Sequence, residues 1–257
     1  MSKNKIKPNF FIIGAAKSAT TSLSSLLEQH PEAAIVQGKE PHFFSVDSLY
    51  SLGWKKYLEL YSHCKSETAI GDASTSYSRI RYHPKTISRI KKHMPNAKII
   101  YMVRNPLARM ESAYLEHMAS PGGAIFESVS DAVTKQPMII DSSRYWEVFD
   151  AYRQHFSEKQ IRIIWFEEYV KNTKAVYQDV CQFLEINNNF SPELEKESTN
   201  SRAHTLNRAK QLGANNLIIN TEWEPKVRQQ VINEIRDDNL KFLKHFNKPV
   251  NYWGELF

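Results

Sequence analysis

The stretch Gly14 to Ser22, GAAKSATTS, combines one lysine with several hydroxyl side chains. The apolar run NFFIIG before it predicts a buried strand, and the apolar positions after Thr20 recur with the period of a helix that ends before Pro31. The start of a helix offers unpaired backbone N–H groups and a partial positive charge, and both favour anions. Lys17, at this junction, therefore indicates a cradle for a phosphate-like group.

A second group that could bind phosphate follows the apolar run AKIIYMV. Arg104 ends this predicted strand, and Asn105 and Pro106 suit the N-cap and the first position of a helix. Ser112 lies seven residues after Asn105, which is about two helical turns, so the two share one helix face. The planar guanidinium of Arg104 and the hydroxyl of Ser112 could then meet one phosphate.

The first stretch differs from the nucleotide-triphosphate loop G-x-x-x-x-G-K-[ST]. Lys17 comes three residues after Gly14, and Ala16 stands where that loop has glycine. A kinase or ATPase with an altered loop stays open as an alternative. A non-enzymatic module that binds polyanions is a second alternative, because 34 Lys and Arg against 28 Asp and Glu give a net charge of +6.

Both stretches together resemble the sulfotransferases that use 3′-phosphoadenosine 5′-phosphosulfate (PAPS), in particular their bacterial and glycosaminoglycan branch. KSATTSL, which begins at Lys17, is similar to the 5′-phosphosulfate loop K-x-G-T-T-x-L, with Ala19 in place of the usual glycine. RNPLARMESAY, which begins at Arg104, is similar to the 3′-phosphate motif R-N-P-x-x-R-x-x-S-x-Y. An alanine at this position costs little if the backbone there is right-handed, and otherwise it changes the fine geometry of the loop.

The resemblance covers nearly the whole chain and implies the donor-binding residues. PAPS would be the donor and 3′-phosphoadenosine 5′-phosphate (PAP) the product. Arg202, in NSRAHT, corresponds to a cation of a loop that closes over the donor in this family. The implied donor-binding residues are Lys17, Ser18, Ala19, Thr20, Thr21, Ser22, Arg104, Ser112 and Arg202.

Two residues compete for the role of the base that takes the acceptor's proton. Glu40, in KEPHFF, matches the glutamate base of the glycosaminoglycan branch, and His42 is the rival because small-molecule sulfotransferases use histidine. Lys17 would stabilise the negative charge on the leaving oxygen. The nine histidines show no metal-ligand spacing, so no metal is expected.

On the acceptor side, Asp72 and Tyr77 are open between acceptor contacts and structural roles. For Arg79, Arg81 and Lys85 a solvated basic face is favoured over a guide for an acidic acceptor.

Predicted strands alternate with predicted helices, which favours an α/β fold with a central, mostly parallel sheet flanked by helices. The strand candidates are NFFIIG, AAIVQ, TAIGD, AKIIYMV and QIRIIWF. We expect a single sulfotransferase domain over residues 1–257, with a P-loop-like strand–loop–helix at its donor site and a long polar loop over residues 186–207.

The composition limits which class of protein and which location remain possible. The chain has 257 residues, 41% of them hydrophobic, which is ordinary for a globular protein. Two cysteines without a C-x-x-C spacing favour free thiols, and the apolar runs are too short for a signal peptide or a membrane span. We therefore expect a cytoplasmic protein with no nucleic-acid partner. Its acceptor would bear a hydroxyl, less often an amine, and would be a saccharide, lipid, peptide or natural product.

Overall fold

A computed structural model describes residues 6–38, 40–120, 126–194, 219–254 and 256 of the chain. Its contacts divide the chain into two compact units. The first comprises Met1–Val103 and Ala151–Leu194, and the second comprises Arg104–Asp150 and Glu195–Phe257. The single domain expected over residues 1–257 stays a prediction.

The first unit contains a five-stranded sheet in the order β2-β3-β1-β4-β5. The strands are β1 Phe10–Gly14, β2 Ala33–Ile35, β3 Ala69–Asp72, β4 Lys98–Val103 and β5 Ile161–Trp165. All four neighbouring pairs are parallel. Each of the five apolar runs forms a strand of this sheet, so the predicted fold class is confirmed.

The aromatic core of the first unit packs around β1. Phe10 and Phe11 are fully buried, and the ring of Phe11 makes edge contacts with Phe44 and Tyr77. Gly71 lies against the ring of Phe10, and a Cβ there would stand 2.2 Å from its Cζ atom. Burying side chains of this size contributes roughly 2–3 kcal/mol each, so this cluster fixes β1 between its neighbours.

Helices flank the strands along the chain of the first unit. The first, α1, buries Leu23, Leu26 and Leu27 on one face, as its periodicity predicted. The helices are α1 Thr20–Glu28, α2 Asp47–Ser51, α3 Trp54–Glu59, α4 Thr86–His93, α9 Phe166–Lys171 and α10 Thr173–Leu184. Two 3-10 helices, Thr75–Ser78 and Glu158–Gln160, complete this unit. Cys64 and Cys181 are buried free thiols, as predicted.

The second unit is helical in its described residues. Its helices are α5 Pro106–Ala119, α6 Val129–Lys135, α7 Pro137–Asp141, α11 Pro225–His245 and most of α8 Tyr145–Arg153. Asn105 is the N-cap of α5, and Pro106 is its first residue, as predicted. The Asn105 side chain accepts from the backbone of Ala108 at 3.1 Å and donates to the carbonyl of Trp253 at 3.0 Å.

In the portion of the chain that the structure describes, no helix has both the length and the apolar character needed to cross a membrane.

Candidate active site

The loop between β1 and α1 starts from a close approach of two backbone segments. Gly14 has φ 138°, and a Cβ at this position would lie 2.3 Å from Ser78 Oγ. The next N–H, that of Ala15, donates to the carbonyl of Met102 in β4 at 2.7 Å. The root of the loop is therefore fixed by the sheet on one side and by the 3-10 helix Thr75–Ser78 on the other.

Two residues of this loop have left-handed backbones. Lys17 has φ 71°, and Ala19, the N-cap of α1, has φ 67° and ψ 23°. Ala19 is therefore not in the right-handed conformation in which an alanine costs little. A residue with a Cβ pays roughly 1–2 kcal/mol in the left-handed conformation, which explains why glycine is the favoured residue there. Left-handed residues in a turn allow successive backbone N–H groups to converge on an anion.

The loop also contains a buried hydroxyl without a partner. Ser18 is fully buried, and its Oγ has no hydrogen bond in the part of the chain that the structure describes. Ala19 provides no side-chain cap for the first N–H groups of α1. A buried polar group left unpaired costs about 1–3 kcal/mol, so such a group suits a site that a ligand completes. The loop residues thus fit an anionic phosphate or phosphosulfate group.

The first turn of α1 is tied to α9. Ser22 Oγ and Tyr169 Oη are 2.7 Å apart, and burial raises the pKa of Tyr169, so its phenol stays protonated. Thr20 is buried, and Thr21 is partly exposed. This contact holds the beginning of the helix, whose N–H groups would face the anion.

Glu40 and His42 lie together in the first unit, in the segment before α2. Both have left-handed backbones, with φ of 61° and 53°. Glu40 Oε2 accepts a hydrogen bond from Thr75 Oγ1 at 2.9 Å and lies 3.7 Å from His42 Nε2. Their side chains are 25% and 37% exposed, respectively, so a molecule from solvent can reach both.

The turn after β3 holds His42 at two further atoms. Its backbone N–H donates to Ser74 Oγ at 3.1 Å, and its Nδ1 is 2.7 Å from Ser76 Oγ. Burial lowers the pKa of His42; the positive charge of Arg79 lowers it further, and the negative charge of Glu40 opposes the change. The imidazole is therefore neutral at pH 7.

Asp72, the last residue of β3, is a fully buried carboxylate. Its Oδ2 accepts from the phenols of Tyr57 and Tyr77, both at 2.7 Å, and its Oδ1 accepts from Ser74 Oγ at 2.7 Å. Burial raises the pKa of Asp72 to about 6, although these hydrogen bonds lower it. Asp72 and Tyr77 are both inaccessible, so of the two roles left open by the sequence the structural one is correct.

Arg79 differs from the solvated basic residue that the sequence favoured. Its Nε is buried without a hydrogen-bond partner among the described residues, and burial lowers its pKa against the opposing charge of Glu40. Lys85, by contrast, is an exposed lysine that pairs with Asp47 at 3.1 Å. The contacts of Ser74, Thr75 and Ser76 were not predicted from the sequence. Their signal was the run of hydroxyls STS directly after a predicted strand.

The second unit contains the other predicted donor residues. The phenol of Tyr145 donates to the Arg104 carbonyl at 2.6 Å and accepts from the Arg104 N–H at 3.4 Å, which fixes the backbone there. Ser112 is partly exposed on α5. Arg109, in the same motif, is buried and donates to Ser143 Oγ and to the carbonyl of Ile139, so its role is structural. Arg202 lies outside the described residues.

The comparison with protein families identifies the family of this chain. A family model described as "Sulfotransferase domain" matches residues 7–238. The chain therefore belongs to the sulfotransferase domain family, whose members transfer sulfuryl groups.

Individual relatives have the same fold or activity class. A sulfotransferase structure from Alicyclobacillus acidocaldarius is 26% identical, with a TM-score of 0.76 over 96% of this chain and 99% of that one. Human heparan sulfate glucosamine 3-O-sulfotransferase 3B1 is 26% identical over 94% of this chain. Membrane-associated sulfotransferase kil1 of Dictyostelium discoideum is 34% identical over 42% of it. The matched regions span only 64% and 22% of those two proteins.

A more distant structure supports the fold alone. Mouse sulfotransferase SULT7A1, solved in complex with PAP, is 16% identical, with a TM-score of 0.56 over 93% of this chain and 88% of that one.

Ala19→Gly is expected to raise the free energy of unfolding by about 1 kcal/mol, because glycine adopts the left-handed conformation without steric cost. Urea unfolding measures the change. Ala175→Gly is the matched control: Ala175 is exposed within the right-handed helix α10, where glycine should cost about 1 kcal/mol. A loss of stability in both variants would contradict the left-handed backbone at Ala19.

Asp72→Asn is expected to change how stability depends on pH. The carboxyl's pKa is about 6 in the folded chain and about 3.9 in an unfolded chain, so the folded state binds this proton more tightly. The protonated carboxyl does not oppose folding below pH 4. As the pH rises through about 6 the buried carboxyl ionises, and this lowers the free energy of unfolding by roughly 3 kcal/mol. Urea unfolding should show the variant gaining about that much on the wild type between pH 4 and pH 7.

Asp47→Asn serves as the control with the opposite sign. Asp47 is an exposed carboxylate whose pKa is lowered by hydrogen bonds from Arg89 and Lys85, so its contribution to stability is present above about pH 4 and is lost as the pH falls further. Asp47→Asn should therefore show no gain on the wild type between pH 4 and pH 7. A pH-independent difference between Asp72→Asn and the wild type would show that the Asp72 pKa is not raised.

Proposed function

We propose that this chain transfers a sulfuryl group from PAPS to a hydroxyl of an acceptor, with Glu40 as base and Lys17 stabilising the leaving oxygen. The observation that carries the proposal is the loop after β1. It begins a helix, has left-handed backbones at Lys17 and Ala19, and buries the unpaired hydroxyl of Ser18. When bound there, PAPS supplies an activated sulfuryl group and a good leaving group.

The loop would bind the 5′ end of the donor through charge and hydrogen bonds. Lys17 contributes an ammonium, and the start of α1 contributes backbone N–H groups and the helix dipole. Because negative charge grows on the bridging oxygen during transfer, the ammonium stabilises the transition state more than the ground state. The donor residues of the loop are Lys17, Ser18, Ala19, Thr20, Thr21 and Ser22.

Arg104 and Ser112 would bind the 3′-phosphate of the donor. The two hydrogen bonds from the Tyr145 phenol to the carbonyl and the N–H of Arg104 fix the backbone from which the Arg104 side chain extends. A guanidinium can form two parallel hydrogen bonds to a phosphate, and a serine hydroxyl adds a third. Arg202 stays a predicted additional cation for the same phosphate.

Glu40 suits the role of base better than His42. One of its carboxylate oxygens is oriented by Thr75, while Oε1 has no hydrogen bond to any described residue. An oriented, partly exposed carboxylate can accept the proton of a hydroxyl as the new bond to sulfur forms. Burial and the positive charge of Arg79 lower the pKa of His42, which weakens its ring as a proton acceptor.

A saccharide is the acceptor that the relatives favour among the four classes considered. Curated relatives are named as heparan sulfate glucosamine 3-O-sulfotransferases and act on a sugar hydroxyl. Arg79, a half-buried guanidinium beside Glu40, suits an acceptor with an acidic group. A cytoplasmic location also stays a prediction.

Two alternative functions make different predictions. A kinase or ATPase would place its lysine next to glycine in the loop and would require ATP with magnesium, whereas Lys17 follows Ala16. A polyanion-binding module would bind with an affinity that falls steeply with salt and would ignore the 3′-phosphate.

Thermal unfolding with PAP, with 5′-AMP and with ATP–magnesium distinguishes these functions. PAP should raise the unfolding midpoint, since a ligand at one hundred times its Kd stabilises the folded state by about 2.7 kcal/mol. 5′-AMP, which has no 3′-phosphate, should have a much smaller effect. Lys17→Ala and Arg104→Ala should each abolish the PAP shift, and Lys55→Ala, which removes an exposed lysine of α3, should leave it unchanged. A shift with ATP–magnesium alone would identify a kinase-like site.

Glu40→Gln is expected to lower kcat by about 10²- to 10⁴-fold, because the amide cannot accept the proton, and to leave the PAP shift unchanged. PAP release during turnover measures the effect. Glu59→Gln, on the exposed face of α3, is the control and should retain full activity. Full turnover in Glu40→Gln together with its loss in His42→Ala would instead make His42 the base.

A further inference from the structure

Asp72 is a fully buried carboxylate that forms no ion pair with any described residue. The groups that change its pKa are three hydroxyls, which lower it, and Glu40, whose negative charge raises it together with burial. A buried charge without a cation lowers the stability of the folded state, and a neutral residue of similar size would avoid this loss. The charge of Asp72 therefore indicates a role other than stability.

The charge fixes the direction of three hydrogen bonds. An ionised carboxylate can only accept, so Ser74, Tyr57 and Tyr77, whose hydroxyls are each 2.7 Å away, must all donate to it. Each hydroxyl has one proton, so none of the three can donate to a second group. The pKa of Asp72 is about 6, and at pH 7.5 the carboxyl is ionised and the three directions are fixed.

Two of the three hydroxyls accept from the backbone of the segment that contains Glu40. The His42 N–H donates to Ser74 Oγ at 3.1 Å, and the Phe44 N–H makes a longer contact of 3.5 Å with Tyr77 Oη. A backbone N–H can only donate, so these contacts exist only while the hydroxyl protons point away from the segment. The carboxylate of Asp72 is what makes them point away.

Tyr57 is the third hydroxyl, and it forms no hydrogen bond with this segment. Its Oη donates to Asp72 and lies 2.8 Å from the phenol of Tyr61, which must then be the donor of that contact. Its ring stacks on Phe43 at 4.3 Å, a contact that does not need the hydroxyl. Tyr57 and Tyr77 thus give the carboxylate the same hydrogen bond, but only Tyr77 continues to the backbone of the segment.

The segment has a backbone that needs to be held by its surroundings. Glu40 and His42 have left-handed φ values of 61° and 53°, and residues with a Cβ are strained in this conformation. The His42 carbonyl accepts from the N–H groups of Ser45 and Val46 within the segment, whereas the His42 N–H is held from outside it, by Ser74. Without that hydrogen bond the strained residues could relax, and the Glu40 carboxylate would move relative to the His42 ring.

We propose that Asp72 is a positioning residue, which aligns Ser74 and Tyr77 so that they hold the backbone that carries the proposed base. Asp72 is inaccessible and does not touch an acceptor, so it acts only through these two hydroxyls. The geometry that it maintains is the 3.7 Å separation of Glu40 Oε2 and His42 Nε2. The inference rests on the proposed function, because Glu40 must be the base whose position matters.

The first test is hydrogen exchange, followed by NMR at pH 7.5 on the full chain labelled with ¹⁵N at histidine and phenylalanine. The amide signals of interest are assigned by their loss in His42→Gln and Phe44→Leu. An amide side chain accepts at one atom only, so in Asp72→Asn at least one of Ser74 and Tyr77 loses its alignment. Exchange of the His42 or the Phe44 amide should then become about tenfold faster. Unchanged exchange of both amides in Asp72→Asn overturns the proposal.

The same spectra contain the controls. Ser74→Ala should accelerate the His42 amide, because it removes the acceptor of that N–H. Tyr57→Phe is the matched variant, since it removes a hydrogen bond from the same carboxylate and should leave the His42 amide unchanged. The amides of Phe10 and Phe11 in β1 report global opening, so constant exchange there separates a local effect from a loss of overall stability.

A second measurement follows the distance between the two side chains through the pKa of His42. Glu40 raises this pKa, so Glu40→Gln should lower it in the wild type. If Asp72 keeps the two side chains together, Glu40→Gln should lower the His42 pKa less in the Asp72→Asn background. The ¹⁵N shifts of the ring, recorded against pH, give all four values. An equal effect of Glu40→Gln in both backgrounds overturns the proposal.

The third measurement is turnover, with heparan sulfate as the acceptor probe and PAP release as the signal. Asp72→Asn and Ser74→Ala should each lower kcat about tenfold, the rate equivalent of one hydrogen bond, and leave the KM for PAPS unchanged. Ser74→Thr keeps the hydroxyl on an extended backbone and should restore kcat. Tyr57→Phe should retain the wild-type kcat. Equal kcat values in Ser74→Ala and Tyr57→Phe overturn the proposal.

Failure of the proposed function gives a different pattern. If the wild type does not sulfate heparan sulfate, the exchange rates and the His42 pKa decide the inference alone, and the absence of a PAP shift as well would overturn the enzyme assignment. If the wild type is active but Asp72→Asn leaves both amides and kcat unchanged, the proposed function stands and the inference about Asp72 fails.

Discussion

The organisation of the site depends on the close approach between the end of β1 and the 3-10 helix that follows β3. Gly14 makes this approach possible, because any Cβ there would lie 2.3 Å from Ser78 Oγ. After Gly14 the chain continues into the loop that contains Lys17. The 3-10 helix Thr75–Ser78, which Gly14 contacts, holds Glu40 through Thr75 and His42 through Ser76. The close approach of Gly14 to Ser78 thus connects the anion-binding loop to the segment that contains the proposed base.

The features that lower stability concentrate in the loop after β1 and in the segment that contains Glu40 and His42. Lys17, Ala19, Glu40 and His42 all have left-handed backbones, and each such residue costs energy that the surrounding structure must offset. The buried charge of Asp72 opposes folding at neutral pH, yet its hydrogen bond from Ser74 orders the hydroxyl that accepts from the His42 backbone. The aromatic core around Phe11 supplies the opposing free energy. Strain retained in this pattern is typical of a site that is organised before its ligand arrives.

The sequence predicted the sheet because its signal is local. Five short apolar runs alternate with amphipathic segments, and the crossover rule then leaves a parallel sheet as the natural arrangement. The cap at Asn105 and the loop of Lys17 were predictable for the same reason. The conformation of Ala19 was not, since alanine is compatible with several backbone conformations and the position of its neighbours decides among them. Arg79 was misjudged because the burial of a guanidinium depends on residues distant in the sequence.

Hydrogen-bond direction is the part of the site that residue types alone could not give. Ser45, Ser74 and Ser76 look interchangeable in the sequence, but each has one proton and a different set of neighbours. Ser74 gives its proton to Asp72, and it therefore accepts from the His42 backbone. Ser76 instead lies within hydrogen-bond distance of both Ser45 Oγ and His42 Nδ1. The two neighbouring serines of this turn therefore hold the backbone and the ring of His42 separately, and only the positions of residues distant in the sequence decide which serine does which.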